Sequence, residues 1–180
     1  MKSPLPHGQT ILDAIRQRRS IRVFTDEPVR LDLLHTIVEA GVWAPSGLNN
    51  QPWRFVLVTD PRTAGRVAEL TTYGHIVRAA RALIAVYLDQ EAMYDDTKDH
   101  QAAGACIQNM LLAAEALGLG AVWLGQILKN KHKVNEIFGL GDRHDLMAVI
   151  AIGHPASRDQ KSSRKPIAEL ILQTIEEENK

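Results

Sequence analysis

The sequence predicts one folded domain in which helices and short strands share a core. Three observations carry that reading. Four β-rich apolar runs, Phe55–Thr59, Leu83–Leu88, Ala121–Leu124 and Leu146–Ile152, read as strands. Before and between them, apolar residues recur at helical spacing. No repeat and no linker divides the 180 residues, a length that supports one proper core, so 1–180 reads as a single domain.

In chain order, Thr10–Gln17 is a helix: Ile11, Leu12 and Ile15 share a face, Asp13 lies early and basic residues close it. Arg18–Arg22 follows as a loop. Leu31–Trp43 is a second helix with Leu34, Ile37, Val38 and Val42 on one face, ending before Pro45 because the residue preceding proline resists helical angles. Ala44–Trp53 is irregular, broken by two prolines and a glycine. The strand Phe55–Thr59 is closed by Asp60-Pro61 and followed by a short helix, Arg62–Leu70. In Thr71–Arg81 only a helix after Gly74 is suggested. Asp89–His100, carrying five Asp or Glu residues, reads as a surface loop or lid.

His100–Leu117 is the longest helix, with Ala103, Ile107, Met110, Ala114 and Leu117 repeating at 4-3-4-3 spacing. It is apolar nearly all round, which demands burial on several faces, inside a monomer or against a second subunit. Gly118 stands where a C-terminal cap would. Asn130–Phe138 is a further helix, stopped at Gly139. Ala156–Lys165 is polar and basic, and Pro166–Ile175 regains apolar residues as a tail that packs on something.

Composition narrows the function. Lys+Arg and Asp+Glu are both 21, so the balance argues against a nucleic-acid partner and favours self-association. The lone Cys106 allows no intrachain disulfide and reads as a small core residue in a reducing compartment. Met1–His7 has no leader-length apolar stretch, and the longest apolar runs have seven residues where a membrane span needs about 20. The expected setting is therefore cytoplasmic. No nucleotide P-loop, H-E-x-x-H, paired cysteine or G-x-S-x-G occurs, so no metal site or hydrolase nucleophile is expected. Gly118-Leu119-Gly120 follows a helix and opens a strand, the reverse of a dinucleotide fingerprint. Trp43, Trp53 and Trp123 read as core residues, and the first two flank the Pro45–Pro52 loop as walls of an apolar pocket.

The chemistry concentrates in Arg18-Arg19-Ser20-Ile21-Arg22. Three guanidinium forks and a hydroxyl within five residues suit a phosphate monoester, such as that of a mononucleotide cofactor. A solvated basic patch at a helix end has the same composition.

Taken together, R-R-S-I-R at Arg18–Arg22, A-P-S-G-L-N-N-Q-P-W at Ala44–Trp53, G-L-G-A-V-W-L-G at Gly118–Gly125 and S-R-K-P at Ser163–Pro166 resemble, in order and spacing, the nitroreductase family of FMN-dependent oxidoreductases. The resemblance implies an α+β fold: a mainly antiparallel sheet wrapped by helices, in an intertwined homodimer whose C-terminal tail crosses to the partner. It implies that Arg18, Arg19, Ser20 and Arg22 grip the phosphate and ribityl groups of FMN, and that Arg164, with Lys165, returns to the phosphate. Pro45, Ser46, Gly47 and Asn49 would come from the partner subunit to the flavin ring. Trp123, Leu124, Gly125 and Gln126 would run along the ring near N5, with Gly125 and Gly47 free to approach for want of a Cβ.

The resemblance further implies NADH or NADPH as electron donor and nitroaromatic, quinone or flavin-type acceptors, with the flavin carrying the chemistry and no residue named as acid or base. Two departures stand out. Thr71–Arg81 and Asp89–His100 are short, making Tyr73, His75 and Tyr94 candidates for substrate contacts. Ser162 occupies a place where some members carry lysine. Other readings are a specialised branch, either a reductive dehalogenase or a flavin-fragmenting enzyme of cobalamin lower-ligand synthesis, and a flavin-storage protein without turnover.

Overall fold

A computed structural model describes residues 8–176. The reading of Met1–His7 lies outside them. The helices are α1 (Gly8–Gln17), α2 (Leu31–Val42), α3 (Pro61–Ala68), α4 (Gly74–Ala79), α5 (Asp96–Ala116) and α6 (Lys131–Phe138). The strands are β1 (Trp53–Val58), β2 (Ala82–Asp89), β3 (Gly120–Leu124) and β4 (His144–Gly153). Single 3₁₀ turns occupy Gly47–Asn49, Gln126–Asn130 and Ile167–Glu169. No helix among the described residues is long and apolar enough to cross a membrane.

The four strands form one open sheet in the order β1-β2-β4-β3, antiparallel throughout. All eight residues of β2 are buried, which explains why its sequence is apolar without alternation. Its side chains still divide by parity. Ile84 and Val86 join α2 and α5 on one face, with Leu34, Ile37, Ile107 and Met110. Leu83, Ala85 and Tyr87 join α3, α4 and α6 on the other, with Val67, Ile76 and Val134. Where α2 crosses α5, Gly41 makes the approach possible: a Cβ there would lie 2.7 Å from Met110 Cγ and 3.0 Å from Cys106 Sγ. Cys106 is fully buried, and burial pushes its thiol up to about 12.

Local chemistry sets the element ends. Asp60 caps α3, accepting from Thr63 N at 2.9 Å with Pro61 as first helical residue. Gly118, at φ 75°, turns the chain out of α5 while Leu119 N donates to Ala114 O at 2.8 Å.

Two expectations are corrected. The acidic stretch 89–100 is a surface loop only over residues 90–95, and two of its five acids, Asp89 and Asp99, are buried. Asp89 ends β2 at 1% exposure, clasped by Arg143 and Arg54, and Asp95 caps α5, which begins four residues before His100. Bonding Arg143 outweighs burial and holds the Asp89 carboxyl down to about 2. Of the three tryptophans only Trp53 is a core residue: Trp43 is 82% exposed, because α2 ends at Val42 and the turn into Ala44 points its ring outward, and Trp123 is 42% exposed as the one exposed position of β3.

Candidate functional site

The basic segment is docked on the edge of the sheet. Ser20 bridges Ala121 in parallel, Ile21 N donates to Ala121 O at 3.1 Å, and Thr25 N donates to His154 O at 2.9 Å. Two glycines give it room. A Cβ on Gly120 would lie 2.7 Å from Ile21 Cγ2, and one on Gly153 would lie 2.8 Å from Phe24 Cδ1. With Ile21 and Phe24 buried, the intervening Arg22 stays exposed.

One end of the segment meets the late basic stretch. Arg19 Nε donates to Gln160 O at 3.2 Å, and Arg19, Arg164, Arg16 and Ser162 line a cavity of about 320 Å³ with Ile15. The acceptors recorded for Arg19 and Arg164 are carbonyl and hydroxyl oxygens, and among the described residues no carboxylate pairs with either. Arg18 is half-buried, with its Nε buried and unpartnered. Lys165 is exposed and does not line this cavity. Arg16 was missed in the sequence. It sits on the last turn of α1, three residues before Arg19, which follows the helix end at Gln17.

At its other end the segment reaches the close of β3. Arg22, Tyr73, Trp123, Leu124, Gly125 and Gln126 share a cavity of about 360 Å³ with Val122. Gly125 has φ −95°, open to any residue, and a Cβ there would meet nothing within 4 Å. Neither its backbone nor the packing of its own chain requires glycine. Gln126 Oε1 accepts from Thr71 Oγ1 at 2.7 Å and Thr72 N at 3.1 Å, which seats Tyr73 at the rim; His75 is exposed and lies outside this lining. Three residues of extended chain, at most about 10 Å, separate Arg19 from Arg22.

The Pro45–Gln51 loop is not gathered with these residues: none of 45–49 lines the cavities of Arg19, Arg22 or Gly125 in the same chain. Leu48, Asn49 and Gln51 hold left-handed backbone, at φ 52°, 56° and 47°. Such a conformation costs roughly 1–2 kcal/mol for residues such as Leu48 and Gln51, while asparagine adopts it more readily. Ser46 Oγ accepts from Gln51 N at 3.1 Å. Gly47 yields its space to Tyr94, whose ring and hydroxyl occupy the place of a Cβ. Asn50 Nδ2 donates to Asp99 Oδ1 at 2.8 Å and Ala92 O at 3.0 Å. Burial works to raise the Asp99 carboxyl, yet bonds from Asp95 N–H, the Asn50 amide and Tyr94 N–H hold it below its ordinary value. No sequence signal joined Asn50 to Asp99, 49 positions away.

Elsewhere, a cavity of about 380 Å³ lined by Asp26, Arg78 and Arg81 contains none of the predicted residues, and its guanidinium groups are already paired with Glu69 and Asp26.

A chain from Desulfovibrio desulfuricans crystallised in complex with FMN is 51% identical, superimposes at a TM-score of 0.88, and is covered over 100% of its length by 98% of this chain. NADH dehydrogenase of Thermus thermophilus is 30% identical over 210 residues, which cover 96% of this chain and 99% of that protein. The NADPH:FMN oxidoreductase of Vibrio harveyi, solved with NAD+, is 25% identical at a TM-score of 0.82 over 94% of this chain and 79% of its own. The profile of the Nitroreductase family matches two overlapping segments, residues 15–74 and 62–154. With the antiparallel sheet, the docked arginine segment and these matches agreeing over most of its length, the chain belongs to the nitroreductase family.

Proposed function

We propose that this chain is an FMN-dependent oxidoreductase that draws on NADH or NADPH and serves nitroaromatic, quinone or flavin-type acceptors at one shared flavin face. The observation that carries this reading is the path from the Arg19–Arg164 cavity, along Ser20 and Ile21, to the cavity at Gly125. When bound, FMN supplies the redox chemistry, accepting a hydride from one small molecule and delivering electrons to another.

The chain's own residues bind and orient. Arg18, Arg19 and Arg164, with Lys165 near, neutralise the phosphate. Guanidinium groups facing only neutral acceptors suit a dianion, which relieves their mutual repulsion. Ser20 and Arg22 follow the ribityl chain. Trp123, Leu124 and Gly125 line the ring, where the open space above Gly125 admits a planar group. No side chain is assigned as acid or base. Because Pro45, Ser46, Gly47 and Asn49 stand apart from this site in their own chain, a second copy supplies them, and the enzyme is a homodimer. The exposed apolar residues of the tail, Ile167, Leu170, Leu172 and Ile175, support a tail that crosses to the partner. The shared sheet supports one domain over 1–180. The lone, buried thiol supports a reducing, cytoplasmic setting.

Titrating the purified chain with FMN tests this. Yellow protein near one flavin per chain, bleached anaerobically by NADH or NADPH and restored by a nitroaromatic or quinone, is expected. Protein that stays colourless with excess FMN refutes it.

A further inference from the structure

We propose that Asp99 is a positioning residue which, through Asn50, clamps the Pro45–Gln51 loop in the conformation that presents Ser46 and Asn49 to the flavin. This rests on the flavin reading above, and it concerns residues to which that reading gives no role.

Asp99 lies in the first turn of α5 and is fully buried, and among the described residues no Lys or Arg pairs with it. A buried carboxylate without a cation is costly unless its oxygens are bonded. Here both oxygens are used. Oδ2 accepts from Tyr94 N at 2.8 Å and Asp95 N at 3.0 Å. A helix N-terminus explains those two donors. It does not explain the third, because Oδ1 is met by the side chain of Asn50, from a different part of the chain.

That amide commits both its hydrogens to segment 92–99, the second going to Ala92 O. The ring of Tyr94, from the same segment, fills the space beside Gly47. The segment therefore holds the loop at two points, Gly47 and Asn50, flanking the left-handed pair Leu48 and Asn49. Backbone in this region persists only where surroundings over-determine it, and such places cluster at functional sites. The clamp also faces Leu48 and Asn49 outward, with Leu48 86% exposed, away from their own chain.

An amide has one acceptor oxygen where a carboxylate has two. Asp99→Asn therefore opposes a donor to a donor, at Asn50 or at Tyr94 and Asp95, or, if the Asn50 amide flips to accept from it, turns Asn50 Oδ1 onto Ala92 O; in each case one bond of the clamp is lost. Asn50→Asp sets two carboxylates against each other. The double variant Asp99→Asn/Asn50→Asp reverses the polarity of the bond between positions 50 and 99 and can remake it, although Ala92 O loses its donor, so recovery is partial.

The experiment uses FMN-loaded enzyme of all four forms. It measures anaerobic reduction of the bound flavin by NADPH, and by NADH, in a stopped-flow mixer. Amide hydrogen exchange of Asn49 and Asn50 is followed in parallel. We expect both single variants to retain FMN, to be reduced at least tenfold more slowly, and to exchange these two amides at least tenfold faster. The double variant should recover at least a third of the lost rate. Single variants with lowered melting temperature but wild-type reduction rates would make the contact merely structural and overturn the proposal. Unchanged exchange, even with slowed reduction, would show that the loop is not clamped and would overturn the proposal. Wild-type protein that takes up no FMN would instead overturn the functional reading, and the positioning role with it.

Discussion

The Arg18–Arg22 segment and the Pro45–Gln51 loop are both short, polar and irregular, yet they are held in opposite ways. The first lies in ordinary extended backbone against an edge strand, anchored by buried Ile21 and Phe24 over Gly120 and Gly153. Its guanidinium groups are left facing neutral oxygens. The second has no large buried side chain between Pro45 and Gln51 and holds left-handed backbone through Asn50, Asp99 and Tyr94. The difference teaches that apolar anchoring leaves charge free for a ligand, whereas polar anchoring consumes hydrogen-bonding groups to set a shape.

The largest effect expected from breaking this contrast is on charge. Arg19→Ala and Arg164→Ala should each weaken FMN binding by about 1.5–3 kcal/mol, the scale of a charged hydrogen bond. Together they should act nearly additively if each reaches the phosphate separately. FMN dissociation constants at two salt concentrations check this; a double variant that binds like wild type removes both residues from the site.

Next comes the anchor. Gly120→Ala places a Cβ within 3 Å of Ile21, so the segment must shift, at about 1–3 kcal/mol of stability and with weakened FMN binding. Adding Ile21→Ala removes the Cγ contacts but leaves the Cβ of residue 21 at 2.8 Å, so only Ile21→Gly should restore the room, in neither case with the lost burial. Urea unfolding of the single and double variants separates clash from packing.

The smallest effect is expected at the loop tip. Leu48→Gly relieves left-handed strain but frees the unfolded chain, so stability should change by less than about 1 kcal/mol. A loss larger than about 2 kcal/mol in thermal unfolding would show that this exposed side chain is covered in solution.

Much of the fold was legible because it follows from local rules. Pro45 ended α2, Asp60-Pro61 closed β1, and the glycines at 118 and 139 stopped α5 and α6. All four strands were visible because their runs are apolar and β-branched. Asp89 and Asp99 were not legible as buried groups. An aspartate in an acidic stretch has the same local signature whether water or a distant partner solvates it, and Arg143, Arg54 and Asn50 lie far along the chain. Trp43 failed in the other direction, since an aromatic residue's burial depends on where the preceding helix stops.

By itself, then, the order of residues determined the elements, the arginine segment and the family, because propensity, breakers and short motifs act over a few positions. Only the folded chain decided which arginines share a cavity with Arg164, which acids are buried, and that the Pro45–Gln51 loop stands apart from the arginines of its own chain. Those are properties of groups brought together over 40 to 145 positions. Packing and desolvation act on such neighbours, and nothing in local spacing encodes them.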